Sequence, residues 1–363
     1  MSDYNIQIIS NLLLGITNTN KNIRTNSINK IQDFYQNHFD LFFYSLLNII
    51  ENTFNAKDDI SILLKNTSLV IGRKVLEIID YEEWDKITID MKMKIKNKLL
   101  FILKNEINCD GDHKAFDIII VLFSKIFENE EIWPELSDIL LSIFNLDPQK
   151  EENNLQIYAI LYIIKGGLNF LYKKISNILD KLILYLKLIF NSSNIYFKAK
   201  ILAGELIYEI ASLSSTHELE IIQILIKNIV ILLYNCYEEY EINKKNEQDI
   251  KSILQILINI ESLEPNLLKI YFTDIFNICN IIISQNLFKD QKIRELGFEL
   301  LVCYIESFPN IIESSNNSTE IIYSILALSL NYSFEFEENL EANTSINFIY
   351  ESEEYFIEEK FIL

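Results

Sequence analysis

The stretch KNEQDIKSILQILINIESLEPNLLKIYFTDIFNICNIIISQNLFKDQKIRELGFELLVCYIESFPNII, residues Lys245–Ile312, contains three apolar-periodic runs separated by turn signals. In the first, Ile250, Ile253, Leu254, Leu257 and Ile258 recur at the spacing of one helical face, and Glu264-Pro265 ends it. The second, Leu267 to Ile283, is apolar on most sides, as a helix with neighbours on more than one flank must be. The third follows Asp290 and carries Ile293, Leu296, Leu300, Leu301 and Tyr304 inward, with Pro309 behind it. Ile250 and Ile293 open equivalent faces 43 residues apart, within the roughly 40 to 47 residues of a helix-pair repeat. Asn22-Ile23-Arg24 near the N-terminus echoes Lys292-Ile293-Arg294. Such pairs cannot each bury their own apolar face, so they stack on one another in a quasi-one-dimensional array.

Composition agrees with an all-α class. Of 363 residues 49% are hydrophobic and 12% aromatic, which supplies a continuous core, while 7 Gly and 4 Pro leave little for turn-dense β architecture. Lys and Arg total 32 against 52 acidic residues, a formal charge of −20. That balance argues against nucleic acid, whose binding rests on neutralising phosphates, and favours basic partners. The wealth of Ile, Asn, Tyr, Phe and Lys reads as an AT-biased genome, because helical periodicity runs through it. Met1–Asn11 carries Asp3 and no basic segment, so no signal peptide is expected there. The apolar run at Ile221–Tyr234 is interrupted by Gln223, Lys227 and Asn228, well short of the roughly 20 apolar residues that span a bilayer. The expectation is a soluble intracellular protein with no membrane contact.

Taken in order, seven helix pairs are predicted. They are 4–17 with 22–36, 40–51 with 58–79, 91–105 with 113–128, a helix opening at Trp133-Pro134 with 155–170, 178–190 with 196–213, 219–237 with 248–262, and 267–283 with 293–308. An eighth begins at Ile321–Leu330. Gly166-Gly167 marks a close helix crossing or a C-terminal break rather than a phosphate loop, since no strand precedes it. From residue 333 the character changes. Glu335, Glu337, Glu338, Glu341, Glu351, Glu353, Glu354, Glu358 and Glu359 face only Lys360, which makes 333–363 an acidic tail or insertion beside a 1–332 repeat domain. Tyr350, Tyr355 and Phe356 interleave it, so it is either a solvated tract or one that orders on a basic partner.

No chemistry-bearing motif emerges. His38, His113 and His217 fall on separate repeats, and Cys109, Cys236, Cys279 and Cys303 lack metal spacing and read as reduced thiols. There is no phosphate loop, dinucleotide fingerprint or nucleophile elbow, so no enzyme, metal or cofactor is expected. Trp84 and Trp133 read as packing anchors, and Arg24 and Arg294 as residues that bond acidic or carbonyl groups of an adjacent repeat.

Asp-x-x-Ile-Arg-x-x-Gly at Asp290–Gly297 resembles the second helix of a HEAT repeat, which implies a right-handed α-solenoid of about eight armadillo-like pairs. The order of segments resembles the N-terminal part of the importin-β (karyopherin-β) family, most like its importin-five branch. The resemblance is carried by Ile71-Gly72-Arg73-Lys74-Val75-Leu76, Asp90–Asn105, Trp133-Pro134-Glu135, Asp249–Ile260, Lys292–Tyr304 and the acidic tract. The phrase is degraded in the third to fifth repeats, where Tyr196 stands near the expected basic position.

The resemblance implies a nuclear import receptor that binds the GTP form of the small GTPase Ran through inner helices, Phe-Gly nucleoporins between outer helices, and basic cargo. It places the protein in cytoplasm and nucleus and at the nuclear pore. Arg73 and Lys74 are the candidate partner-binding residues of the second repeat, and Glu335, Glu337, Glu338, Glu341, Glu351, Glu353 and Glu354 those of the tract. A solvated helix face is the other reading of Arg73 and Lys74. The end at Phe361-Ile362-Leu363 suggests a fragment of a longer product. A repeat scaffold without a GTPase switch is the alternative function.

Overall fold

The computed structural model describes residues 3–78, 81–107, 116–122, 133–175, 178–214, 216–244, 246–284, 288 and 290–310. It is an all-α solenoid, without a strand among the described residues. The helices are α1 Asp3–Ile16, α2 Lys21–Asn37, α3 Phe39–Thr53, α4 Asp59–Ile78, α5 Tyr81–Lys86, α6 Ile89–Glu106, α7 116–122, α8 Pro134–Leu141 and α9 Asn154–Ile175. They continue as α10 Leu179–Asn191, α11 Phe197–Leu213, α12 Thr216–Asn243, α13 Glu247–Leu263, α14 Phe272–Ser284 and α15 Gln291–Ser307. Two compact units result, Met1–Ile270 and Tyr271–Leu363. The expected boundary at 332/333, the eighth pair and the whole acidic tract lie outside the described residues.

Within the first unit, helices pair in chain order and then stack by layer. The first helices pack side by side, α1 on α3, α3 on α6 and α10 on α12. The second helices form their own row, α9 on α11 and α11 on α13. The core lies between the rows. Leu13, Phe42, Phe43, Leu46, Val75, Leu99, Leu161, Leu206, Ile226 and Leu257 are each wholly buried there. The second unit repeats the pair motif, with α14 against α15 and Phe272 stacked on Tyr304 at 5.3 Å between ring centroids.

Local chemistry sets the helix ends. Asn20 and Asp290 each cap a second helix by accepting from the backbone N–H two residues on, both at 2.9 Å. Asp58 and Thr88 accept instead from the backbone N–H three residues on, of Ser61 at 2.9 Å ahead of α4 and of Met91 at 3.3 Å in α6. Lys244 and Asn246 adopt positive φ of 52° and 74°, which turns the chain between α12 and α13. Glu238, Glu239 and Glu241 are exposed and stay helical, so α12 runs six residues past the expected end at Tyr237.

The expected single helix over 267–283 is broken. Pro265 lacks an N–H, and the Glu264 carboxylate accepts from the Asn266 backbone, so Pro265–Leu267 and Lys269–Tyr271 wind as 3₁₀ turns and α14 starts only at Phe272. The short α5, which holds Trp84, was not predicted at all.

The Gly166-Gly167 pair does not end its helix, since α9 continues to Ile175. It is a close crossing instead. A Cβ built on Gly166 would lie 2.4 Å from Cδ1 and 2.9 Å from Cγ1 and Cγ2 of Ile120 on α7, and one on Gly72 of α4 would lie 3.3 Å from Ile118 Cδ1. Glycines on both flanks therefore let α7 sit close to its neighbours. Gly166→Val is expected to cost about 1–3 kcal/mol through overpacking, read as a lower urea midpoint. An unchanged midpoint would show that α7 and α9 can separate freely.

Candidate functional site

The exposed side of the second-helix row carries one polar ladder that crosses three repeat joints. On α4 the Arg73 guanidinium meets Glu77 Oε1 at 2.8 Å through Nε and donates through Nη1 to Asp117 Oδ2 on α7 at 3.2 Å. Lys74 Nζ lies 3.6 Å from the other Glu77 oxygen. Asp117 in turn accepts from the Tyr162 hydroxyl of α9 at 2.7 Å, and Lys165, one turn further along α9, reaches Glu205 of α11 at 2.6 Å.

These links arise because helices stacked in a row present the same face, so residues one repeat apart stand side by side. The hydrogen-bonded partners are separated in sequence by 44, 45 and 40 residues. Sequence reading found Arg73 and Lys74 but missed Asp117, Tyr162 and Glu205, although a search for polar residues at the repeat period would have found them. Arg73 is about half exposed, and a pair of that exposure contributes up to about 1 kcal/mol. Stability rests on the apolar row beneath, including Ile71, Val75, Ile118 and Ile164, and the ladder fixes register.

Electrostatics follow the geometry. The hydrogen bond to Glu77, helped by Asp117, holds the Arg73 guanidinium above its ordinary value despite partial burial. Burial first, and then the bond to Asp117, push the Tyr162 phenol well above its usual range, and burial also raises Tyr158. Farther along the row burial raises the Asp249 carboxyl and lowers the Lys200 ammonium.

The exposed side of the first-helix row differs. On the adjacent helices α10 and α12, Leu184, Leu188, Ile224 and Ile231 are 62%, 55%, 59% and 44% exposed, and on α6 Met93 and Phe101 also face solvent. Lys181, Lys187 and Lys227 punctuate this apolar patch.

Arg24 and Arg294 do bond carbonyls, including ones of their own pairs. Arg24 Nη1 donates to the carbonyls of Asn18 and Thr19, at 2.8 and 2.9 Å, in the turn just before its own helix. Arg294 Nε donates to the Ile283 carbonyl at the end of α14, at 3.3 Å. The side chain folds back because it sits one turn inside the helix, over the turn that feeds it.

Trp84 and Trp133 are packing anchors, each 1% exposed with the indole N–H unpartnered among the described residues, and Lys92 Nζ lies over the Trp84 ring. Cys236 and Cys279 are buried free thiols, pushed up by desolvation, Cys279 to about 12. Among the described residues no group of three or more His, Cys, Asp or Glu could hold a metal ion, and no helix is long and apolar enough to cross a membrane. Glu335, Glu337, Glu338, Glu341, Glu351, Glu353 and Glu354 lie outside the described residues, as do Cys109 and His113, and the side chain of His217 is not described.

No protein-family model and no curated protein sequence matches the chain. Solved structures do resemble it. Kap121p bound to RanGTP superposes with a TM-score of 0.66 at 16% identity, over 89% of this chain and 28% of that one. Kap121p bound to Nup53p gives 0.64 at 16% identity, over 91% of this chain and 29% of that one. Kap95p in a complex with RanGDP gives 0.55 at 11% identity, over 94% and 47%. The chain thus spans less than a third of the length of Kap121p. Its two rows of paired helices, tied along one row by a repeat-spaced polar ladder, have the fold of the karyopherin helical solenoids.

Proposed function

We propose that this chain is a nuclear transport receptor of the importin-β family, most similar to the importin-five branch, or the Ran-binding part of one. The observation that carries the reading is the superposition on Kap121p over nine-tenths of the chain, on structures solved with RanGTP and with Nup53p. The collinear sequence motifs from Ile71 to Tyr304 support it independently.

In this reading the second-helix row, with Arg73 and Lys74, meets the GTP form of Ran. The apolar patch of α10 and α12 receives Phe-Gly repeats. The charge of −20 and the 333–363 tract, with its glutamates from Glu335 to Glu354, attract basic cargo or basic surfaces of Ran. Neither chemistry nor a cofactor is involved, since a transport receptor works by exchanging partners.

The test is capture by the immobilised chain of Ran loaded with either nucleotide. Retention of the GTP form alone supports the proposal. Equal retention of both forms, or of neither, assigns the chain instead to a scaffold without a GTPase switch.

A further inference from the structure

The turns within pairs are held in two different ways. In pairs that keep the Ile-Arg phrase, the fourth residue of the second helix is Arg24 or Arg294, and it ties down the turn of its own pair. In α9 and α11 the fourth residue is Ile157 or Lys200. There the turns are joined to each other.

Ser192 Oγ, 1% exposed, donates to the Pro148 carbonyl at 2.6 Å. Asn194 Nδ2 donates to the Gln149 carbonyl at 2.8 Å. In return Asn154 Nδ2, on a wholly buried side chain, donates to the Asn194 carbonyl at 2.8 Å. Tyr185 Oη adds a bond to the Leu146 carbonyl at 2.9 Å. These four bonds run between the 146–154 turn of the fourth pair and the 185–194 segment of the fifth, three of them accepted by backbone carbonyls of the 146–149 turn, and Ser192 Oγ also lies 3.4 Å from Gln149 Oε1.

Solenoids change curvature by rotation at the joints between neighbouring pairs, because each pair touches only its neighbours. Such a rotation opens or closes the edge on which the turns lie. We propose that the Asn154, Tyr185, Ser192 and Asn194 strap clamps this edge, so that pairs four and five move as a single stiff block within the first unit. The Lys165–Glu205 pair, on the second-helix row of the same joint, restrains the same rotation from the ladder side.

The inference stands on the fold and does not depend on the transport reading. Its test is amide hydrogen exchange on the full chain, comparing wild type with Ser192→Ala combined with Asn194→Ala. If the strap couples the pairs, removing two side chains from pair five speeds exchange in residues 147–153 of pair four by about tenfold, together with 192–196. Acceleration confined to 192–196 overturns the proposal, as does none. Should the double variant fail to fold, Tyr185→Phe removes one bond from the same joint and keeps the ring. It must then raise exchange around Leu146, and an unchanged rate there overturns the proposal equally.

Discussion

Replacing Trp133 by Ala should destabilise the first unit by about 3–5 kcal/mol, the cost typical of truncating a buried aromatic core residue. Trp133 sits immediately ahead of Pro134, at the entry to α8, and is 1% exposed. Its indole N–H has no hydrogen-bond partner among the described residues, so the penalty is apolar transfer plus the cavity left behind. Trp133→Phe, which keeps most of the ring, should cost less than half as much. Chemical unfolding followed by far-ultraviolet circular dichroism reads both. A loss below about 1 kcal/mol for Ala would mean that α8 does not anchor its pair to the array.

The second large effect is on binding. Leu184 and Ile231 lie on the exposed sides of α10 and α12, outside the core, and changing both to Asp should leave the helical signal intact. If this patch receives Phe-Gly repeats, each side chain loses roughly 1–1.5 kcal/mol of apolar burial on binding. Together that is a drop of roughly 30- to 150-fold in affinity for Phe-Gly repeat beads. Capture of Ran should not change, because the substitutions are on the opposite row. Undiminished retention on the beads would remove the first-helix row from the account.

The sequence was informative where one helix face is read against one core. Ile250, Ile253, Leu254, Leu257 and Ile258 are all buried, as their spacing requires, and most helix ends fall within two residues of their expected places, the usual ambiguity of fraying termini. What escaped reading depends on partners far away in sequence. Asp117 looks like any exposed acid until Arg73 and Tyr162 are seen on either side of it, 44 and 45 residues off. Gly166 is ambiguous until Ile120 appears beneath it.

Leu184 and Leu188 were unremarkable in an apolar run, since periodicity alone does not distinguish an extra buried flank from a docking surface. The run from Leu267 read as one helix because its apolar residues are continuous, while the hydrogen bonding around Pro265 is purely local. Arg24 and Arg294 were legible as carbonyl-bonding residues, but their bonds to Asn18, Thr19 and Ile283 within their own pairs were not, because the repeat pattern says that a position recurs and not which turn it covers.

The central claim is that this solenoid recognises Ran by nucleotide state, and titration of Ran against the chain at fixed salt tests it most directly. The account predicts that the GTP form binds roughly a hundredfold tighter than the GDP form, a ratio in the range expected for a protein that discriminates two conformations of its partner. Equal dissociation constants for the two forms, or no binding of either, would contradict it.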